Sequence, residues 1–416
     1  MDNSYSNGVY FGLDITDRYA LVSYFKPNME EPETISTVMG SEVFQIPLFL
    51  SKRRGMGQWF IGQEAKREVQ NGTSDGVDML LSRAKNRENV IIDANEYPAT
   101  ELLLLFLRKI LTLPGGYFGS FKFEKLVITV PVLDMEYMEL FTILCTQLGL
   151  DSSQAIFIDH KESFYYYVFH QRPDVFYQDV MLFDLEDNQL LGYRLNRNQS
   201  TNPQLIRIET NSYGNLIDNK DEKFLFLLKS AFVGEEISAV YLTGDGFDGN
   251  WMKQSLQFLC HNRRVFAGKN LFSKGACYAG VVKNEKPEWP FVYMGEQELK
   301  VNLSIKVLNQ NEMQFISLLD AGENWYESEF SCEVILDGTK EIEFWVQRPD
   351  SRQASVEILE LKDLPNRENR TTRLRITAKP VSDKGIKITI RDLGFGEIVP
   401  SSNKIWEHEI AIVDQE

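Results

Sequence analysis

The sequence predicts an α/β protein built from two related halves and followed by a separate all-β domain. Three observations predict it. Two apolar runs, Val9–Asp14 and Val180–Asp184, each end in an aspartate and pass through a polar stretch into a second run, Ala20–Phe25 and Leu190–Leu195. Between Lys125 and His170, strand-like and helix-like patterns alternate, as strand–helix–strand units do. From about residue 295 the period falls to two, and no helical pattern returns.

Taken in chain order, the first aspartate-ended pair leads into Ser41–Gly62, where IPLFL and WFIG read as strands around a basic, Gly-containing turn (Lys52–Gly57). Gln63–Gln70 reads as a helix, Gly72–Gly76 as a loop, and Val77–Arg87 and Glu101–Thr112 as helices. Lys125–Val130 is a strand, and Asp134–Leu148 a helix stopped at Gly149. Ala155–Ile158 and Glu162–His170 repeat that strand–helix pattern. After the second aspartate-ended pair, Ile237–Thr243 is a buried strand leading through Gly244-Asp245-Gly246 into a helix at Trp251–Cys260. Arg264–Phe266 is a short strand, and Phe272–Val282 a helix rich in small residues. Pro287 and Pro290 mark residues 284–294 as a linker. In the β region, Leu299 to Val307 alternate strictly. Asp337-Gly338 predicts a two-residue hairpin between Cys332–Leu336 and Ile342–Val346, and Asp383–Gly385 a second between Leu374–Ala378 and Ile386–Ile390.

Composition narrows the partners. The 416 residues are 43% hydrophobic and 25% charged, an ordinary globular balance. A net charge of −16 repels polyphosphate backbones and anionic lipid, so neither nucleic acid nor a membrane is the expected partner. The longest apolar run, Leu102–Leu113, is broken by Arg108 and Lys109 and is too short to span a bilayer. The N-terminus has neither a basic start nor an apolar signal core, so the expected location is the cytoplasm. Cys145, Cys260, Cys277 and Cys332 lack metal-type spacing. Cys145 and Cys260 lie in apolar helical runs and read as small buried hydrophobes in a reducing compartment. No Ser/His/Asp arrangement and no Walker loop is present.

Several segments together carry a family resemblance. FGLDITDRYALV, IPLFL…FIGQEAKRE, KLVITVPVLDMEYMELFTILCTQLGL, VMLFDL, AVYLTGDGFDGNWMKQSLQFL and KGACYAG stand in one order. That order and register resemble the phosphate, signature and adenosine motifs of the actin and 70-kDa heat-shock (DnaK) ATPases. RLRITAKPVSDKGIKITIRDLGFGE resembles the peptide-binding β-sandwich of the same chaperones. The resemblance covers nearly the whole chain. It implies a duplicated actin-like ATPase core with ribonuclease-H-like halves over residues 1–283. Residues 8–38 and 104–178 would form the first half, 39–103 an inserted subdomain, and 179–283 a second half reduced by most of its adenosine clamp. Residues 284–294 would be the linker and 295–416 an all-β sandwich domain, with no helical lid after Val413.

The same resemblance names the chemistry and shows where it departs. It implies nucleotide contacts at Asp14, Thr16, Asp184, Gly244 and Gly246, with Mg²⁺ near Asp14 and Asp184. His160 stands where the chaperones orient the attacking water through a glutamate, and Glu162 lies two residues on; with Asp184 these are the catalytic candidates. The phosphate-binding lysine falls at Leu80 or Leu81, with Arg83 and Lys85 as displaced candidates. Ile15 replaces a turn glycine, and Asp17 is expected to point into the phosphate region. Asp184-Leu185-Glu186-Asp187-Asn188-Gln189-Leu190-Leu191 replaces the family's triple-glycine turn, adding two carboxylates and losing a second aspartate at Leu191. The aromatic run Ser163–Phe169 is expected to fill space near the cleft. The plain readings are inherited turn-capping aspartates, a strand-end histidine and an ordinary Gly turn. No cofactor is therefore expected, with ATP or ADP plus Mg²⁺ as the alternative. The expected function is a non-enzymatic protein-binding or scaffold role for a pseudo-ATPase. The alternative is a weak ATP-binding chaperone or nucleotide-gated switch that holds extended peptides in its sandwich.

Overall fold

The computed structural model describes residues 8–37, 41–118, 123–285, 287–326 and 328–412, without the side chains of 114–118 and 123. The start of the chain (residues 1–7) and the end from Val413 lie outside the described residues. The fold is mixed α/β, and the chain divides into two compact units, Met1–Leu195 with Glu209–Trp289 and Asn196–Ile208 with Pro290–Glu416. Among the described residues no helix is long and apolar enough to cross a membrane.

The first unit opens with β1 (Val9–Ile15), β2 (Tyr19–Phe25), β3 (Glu33–Thr34), β4 (Ile46–Pro47), β5 (Leu50–Arg53), β6 (Trp59–Ile61), α1 (Gly62–Gln70), β7 (Ser74–Val77) and α2 (Leu80–Lys85). It continues with β8 (Asn89–Ile92), β9 (Asn95–Pro98), α3 (Ala99–Phe118), β10 (Phe123–Val130), α4 (Met135–Gln147), β11 (Ala155–Asp159) and α5 (His160–Phe169). Then come β12 (Asp179–Glu186), β13 (Gln189–Asn198), β14 (Gln204–Asn215), α6 (Lys220–Ala231), β15 (Ile237–Thr243), α7 (Gln254–Leu259), β16 (Arg264–Ala267) and α8 (Leu271–Glu285).

Two sheets organise this unit. One runs β11-β10-β1-β2-β3, with β4 also on β2; the other runs β16-β15-β12-β13-β14. In each, the aspartate-ended strand is parallel to one neighbour and antiparallel to the next. β1 and β15 are buried along their whole length, as strands covered on both faces must be. Helix α8 packs against β1 and α5 at very short range. A Cβ on Gly12 would lie 2.0 Å from the Ser273 carbonyl, and one on Gly275 would lie 2.0 Å from that of Ser163. The small residues of α8 therefore permit backbone-to-backbone contact.

In the second unit, β17 (Phe291–Tyr293) pairs with Gln204–Ile206 at the start of β14. It is followed by β18 (Asn302–Asn309), β19 (Glu312–Leu319), β20 (Phe330–Ile335), β21 (Glu341–Gln347), β22 (Ala354–Glu360), β23 (Arg373–Ser382), β24 (Gly385–Asp392) and β25 (Ile405–Ala411). These form two antiparallel four-stranded sheets, β19-β18-β21-β22 and β20-β23-β24-β25. Leu303, Ile305 and Phe344 of one sheet share a single core with Ile376, Ile388 and Ile390 of the other.

Several sequence expectations are corrected. The loop at Gly72–Gly76 contains the start of β7, and the helix expected over Val77–Arg87 shortens to α2 because Met79 is left-handed (φ 50°). The helix at Trp251–Cys260 begins at Gln254, where the Asp221 carboxylate accepts the N–H groups of Lys253, Gln254 and Ser255. The linker 284–294 holds the end of α8 and all of β17. The Asp337-Gly338 hairpin does not form. β20 pairs with β23 while β21 pairs with β18 and β22, so this turn carries the chain from one sheet to the other. The hairpin at Asp383–Gly385 does form, joining β23 to β24. Cys145 is buried, but Cys260, at the end of α7, is exposed. β14 and α6 carried no signal that the sequence reading recognised.

Candidate functional site

The C-terminal ends of β1, β12 and β15 border an open cleft of about 2060 Å³ within the first unit. Both aspartate-ended strands enter tight turns. After β1, Ile15 pairs with Ala20, and Thr16 N–H donates to the Tyr19 carbonyl (2.9 Å). The Thr16 hydroxyl accepts the backbone N–H of Arg18 and of Tyr19, both at 3.2 Å. After β12, Glu186 pairs with Gln189 across Asp187 and Asn188, which are both left-handed (φ 50° and 64°). That is the geometry of a two-residue hairpin of type I′, which Asp and Asn tolerate.

The two aspartates occupy matching places. Asp14 lies between Thr129 and Leu21, and Asp184 between Thr243 and Leu191. Asp14 is fully buried, and its Oδ1 is 2.8 Å from His160 Nε2. The His160 ring is stacked on Phe272 of α8, 3.8 Å between centroids. His160 and Asp184 line the cleft. Gly244 stands against Asp184: a Cβ there would lie 2.8 Å from Asp184 Oδ1 and 2.5 Å from the Leu185 carbonyl. Gly246 is likewise pressed on Leu185: a Cβ there would lie 2.3 Å from the Leu185 Cγ. Asp14, His160, Asp184 and Gly244 thus come together, whereas buried Glu162 turns to Lys283 of α8 (2.8 Å).

Other expected residues are spoken for elsewhere. The Asp17 carboxylate, expected to face a phosphate, instead accepts the backbone N–H of Ser82 (2.8 Å) and the Ser82 hydroxyl, at the start of α2. Leu80 and Leu81 are buried, Arg83 pairs with Glu88, and Lys85 with Asp134. None of Phe164 to Phe169 lines the cleft. Their rings pack instead on neighbours such as Tyr241, Tyr278 and Trp289.

The sequence reading missed the ion pairs that brace the cleft. Arg18 Nη1 reaches Glu186 (2.8 Å) and Asp187 (2.7 Å), and its Nη2 is 3.6 Å from Asp245. Lys269 holds Asp245 (2.7 Å) and Asp248 (2.6 Å), and Gln45 donates to Asp245 (3.2 Å). Asp245 is therefore the hub of four chain segments. Arg18 sits inside a motif already singled out, and its charge opposite the two new acids of the second turn was the available signal. Burial raises the Asp184 carboxyl to about 7, with Glu186, Asp14 and Asp245 adding to it against the opposing effect of His160. Glu186 is also raised by burial and by Asp245, and Arg18 offsets part of this. Burial alone would raise Asp245, but Lys269, Gln45 and Arg18 hold it below its ordinary value.

Both turns have two central residues, and a Cβ on either glycine of the third loop would meet protein rather than open space. Among the described residues no group of three or more His, Cys, Asp or Glu side chains is placed to hold a metal.

Residues 298–412 match a domain of unknown function (DUF8552). No curated protein matches the chain. Residues 31–296 match the C-terminal part of a family of unknown function (DUF5716), and the chain belongs to that family.

Proposed function

We propose that this is a DnaK-like protein whose actin-type core has lost its nucleotide chemistry and which serves as a non-enzymatic protein-binding or regulatory scaffold. The matching strand orders and the identical register around Asp14 and Asp184 support a duplicated core with ribonuclease-H-like halves. Two four-stranded sheets about one core support a terminal β-sandwich. The observation that carries the functional reading is the Arg18 brace. A side chain of the first turn is tied to Glu186 and Asp187 of the second and lies near Asp245 of the third loop, where a phosphate chain would have to pass. Incoming phosphates would meet this cluster of carboxylates, and Arg18 is already engaged by two of them.

In the second unit, Leu308, Met313, Phe315, Val356 and Ile358 lie exposed on the outer side of β19-β18-β21-β22, with Phe315 edge-on to Trp345 at 5.3 Å. An exposed apolar face of this kind fits a protein or peptide partner.

Thermal-shift and calorimetric titration with ATP or ADP plus Mg²⁺ tests the reading. No stabilisation at millimolar ligand is expected. A saturable rise would overturn it in favour of a nucleotide-gated chaperone using Asp14, Thr16, Asp184 and Gly244, since a ligand at a hundred times its Kd adds about 2.7 kcal/mol.

A further inference from the structure

Around the cleft, Glu42, Glu64 and Asp78 are exposed to water, and five further acids are held from within the chain. Asp17 is held by Ser82, Glu186 and Asp187 by Arg18, and Asp245 and Asp248 by Lys269. The inner pair is not. Among the described residues nothing donates to the carboxylate of Asp184, which is half-buried in the cleft wall. Asp14 is 0% exposed; His160 takes its Oδ1, but its Oδ2 has no partner. The hydroxyl of Thr129, opposite Asp14 in the ladder, is also buried and unpartnered. Asp14 lies one residue behind the cleft wall, because His160, which holds its Oδ1, lines the cleft. An unpaired carboxylate held out of water is expensive to keep, and hydrogen-bond donors carrying positive charge relieve it best.

We propose that the cleft receives a cationic side chain, the guanidinium or ammonium group of a partner protein's arginine or lysine, seated on Asp184 with the Asp14 carboxylate beneath it. This rests on the non-nucleotide reading and gives the scaffold's cleft a ligand opposite in charge to a phosphate. Tyr19 and Tyr193 line the cleft, and Asp184 acts electrostatically on both, so two aromatic rings are available to flank the cation. The 2060 Å³ cleft admits a side chain with its backbone. Arg18 and Lys269 show the same chemistry in place, a guanidinium and an ammonium each bridging cleft carboxylates.

The test is fluorescence anisotropy on the full chain with a short arginine-containing Gly/Ser peptide and its citrulline counterpart, which keeps the shape and removes the charge. The arginine peptide is expected to bind and the citrulline peptide not to. Asp184→Asn should weaken binding about tenfold or more, the scale of removing one partner from a buried charge pair. The double variant Glu407→Gln/Glu409→Gln, exposed on β25 in the β20-β23-β24-β25 sheet of the second unit, should leave binding unchanged and so control for the chain's overall negative charge. Equal binding of both peptides would overturn the proposal, as would equal weakening by the distant pair. So would displacement of the peptide by Mg²⁺ alone, or binding of spermidine in place of the peptide. The citrulline contrast needs no variant, so it stands even if a substitution unfolds the chain. Loss of peptide binding with no ATP response sinks this inference alone, whereas an ATP–Mg²⁺ response sinks the reading beneath it.

Discussion

Two aspartates at the ends of buried strands show how neighbours decide a carboxylate's behaviour. Burial alone would raise Asp392, yet it is held well below its ordinary range. The Arg367 fork (2.9 and 2.7 Å), the Ser402 hydroxyl and the N–H groups of Ser402 and Gly394 all donate to it. Asp184 lacks every such donor, and its carboxyl is raised to about 7. The sign of the pH dependence follows. The folded state holds this proton more tightly than the unfolded chain, whose aspartates ionise near 3.9. Its contribution to stability is complete below about pH 4 and is lost as pH rises through 7. Asp184→Asn should therefore be more stable than the parent at pH 8, by up to a few kcal/mol, since each tenfold difference in proton affinity between the two states is worth about 1.4 kcal/mol. The gap should close toward pH 4. Urea unfolding of both proteins across that range measures it, and a constant gap would refute it. The aspartates themselves were legible because a strand-end acid before a turn is a local pattern. Their surroundings were not: Arg18 meets Glu186 across 168 positions, and only the folded sheets bring them together.

At the scale of elements, the cleft depends on how closely α5 and α8 approach. The two helices touch through Gly275 and Ser163, where the Ser163 hydroxyl also donates to the Phe272 carbonyl. The same pair stacks His160 on Phe272 and His170 on Tyr278, the latter with centroids 3.9 Å apart. Gly275→Ala would place a methyl carbon 2.0 Å from a backbone carbonyl, so the helices must separate. Overpacking a tight core costs about 1–3 kcal/mol, and a backbone obstacle puts this case at the upper end. Gly268→Ala, whose Cβ would meet nothing closer than Asn270 at 3.6 Å, should be nearly neutral. Chemical denaturation of the two variants separates them, and equal stability would contradict the packing argument. Strand and helix periods made most of these elements readable. Turn chemistry was less decisive: Asp383–Gly385 closes a hairpin, while Asp337-Gly338, a stronger local signal, crosses between sheets. There Asn369 and Arg370 hold Asp337, a tertiary pull no dipeptide preference contains. α6 was missed because its apolar residues do not keep to one stripe: Phe226 is exposed while Phe224 and Leu228 are buried.

At the scale of the whole molecule, the division into units cuts across chain order. Residues 196–208 group with the C-terminal region although both flanks belong to the first unit. They pair with the C-terminal region through the short ladder of Gln204–Ile206 with Phe291–Tyr293. Every member of the second unit's main core cluster, from Leu299 to Ile412, lies beyond residue 295, as do all eight strands of its two sheets. The buried Arg367–Asp392 pair, which ties the loop after β24, lies there as well. Residues 295–416 produced alone should therefore fold cooperatively. Dispersed amide resonances and a single urea transition are the expected observations. Ile388→Ala, which empties a fully buried position facing that core, should lower the fragment's stability by about 2–5 kcal/mol. The same substitution in the full chain should destabilise the second unit while leaving the first unit's Asp14–His160 contact intact, read as an unchanged His160 imidazole resonance. A fragment with collapsed but undispersed resonances would show that the β14–β17 ladder, short as it is, is required to set the register of the sheets that follow.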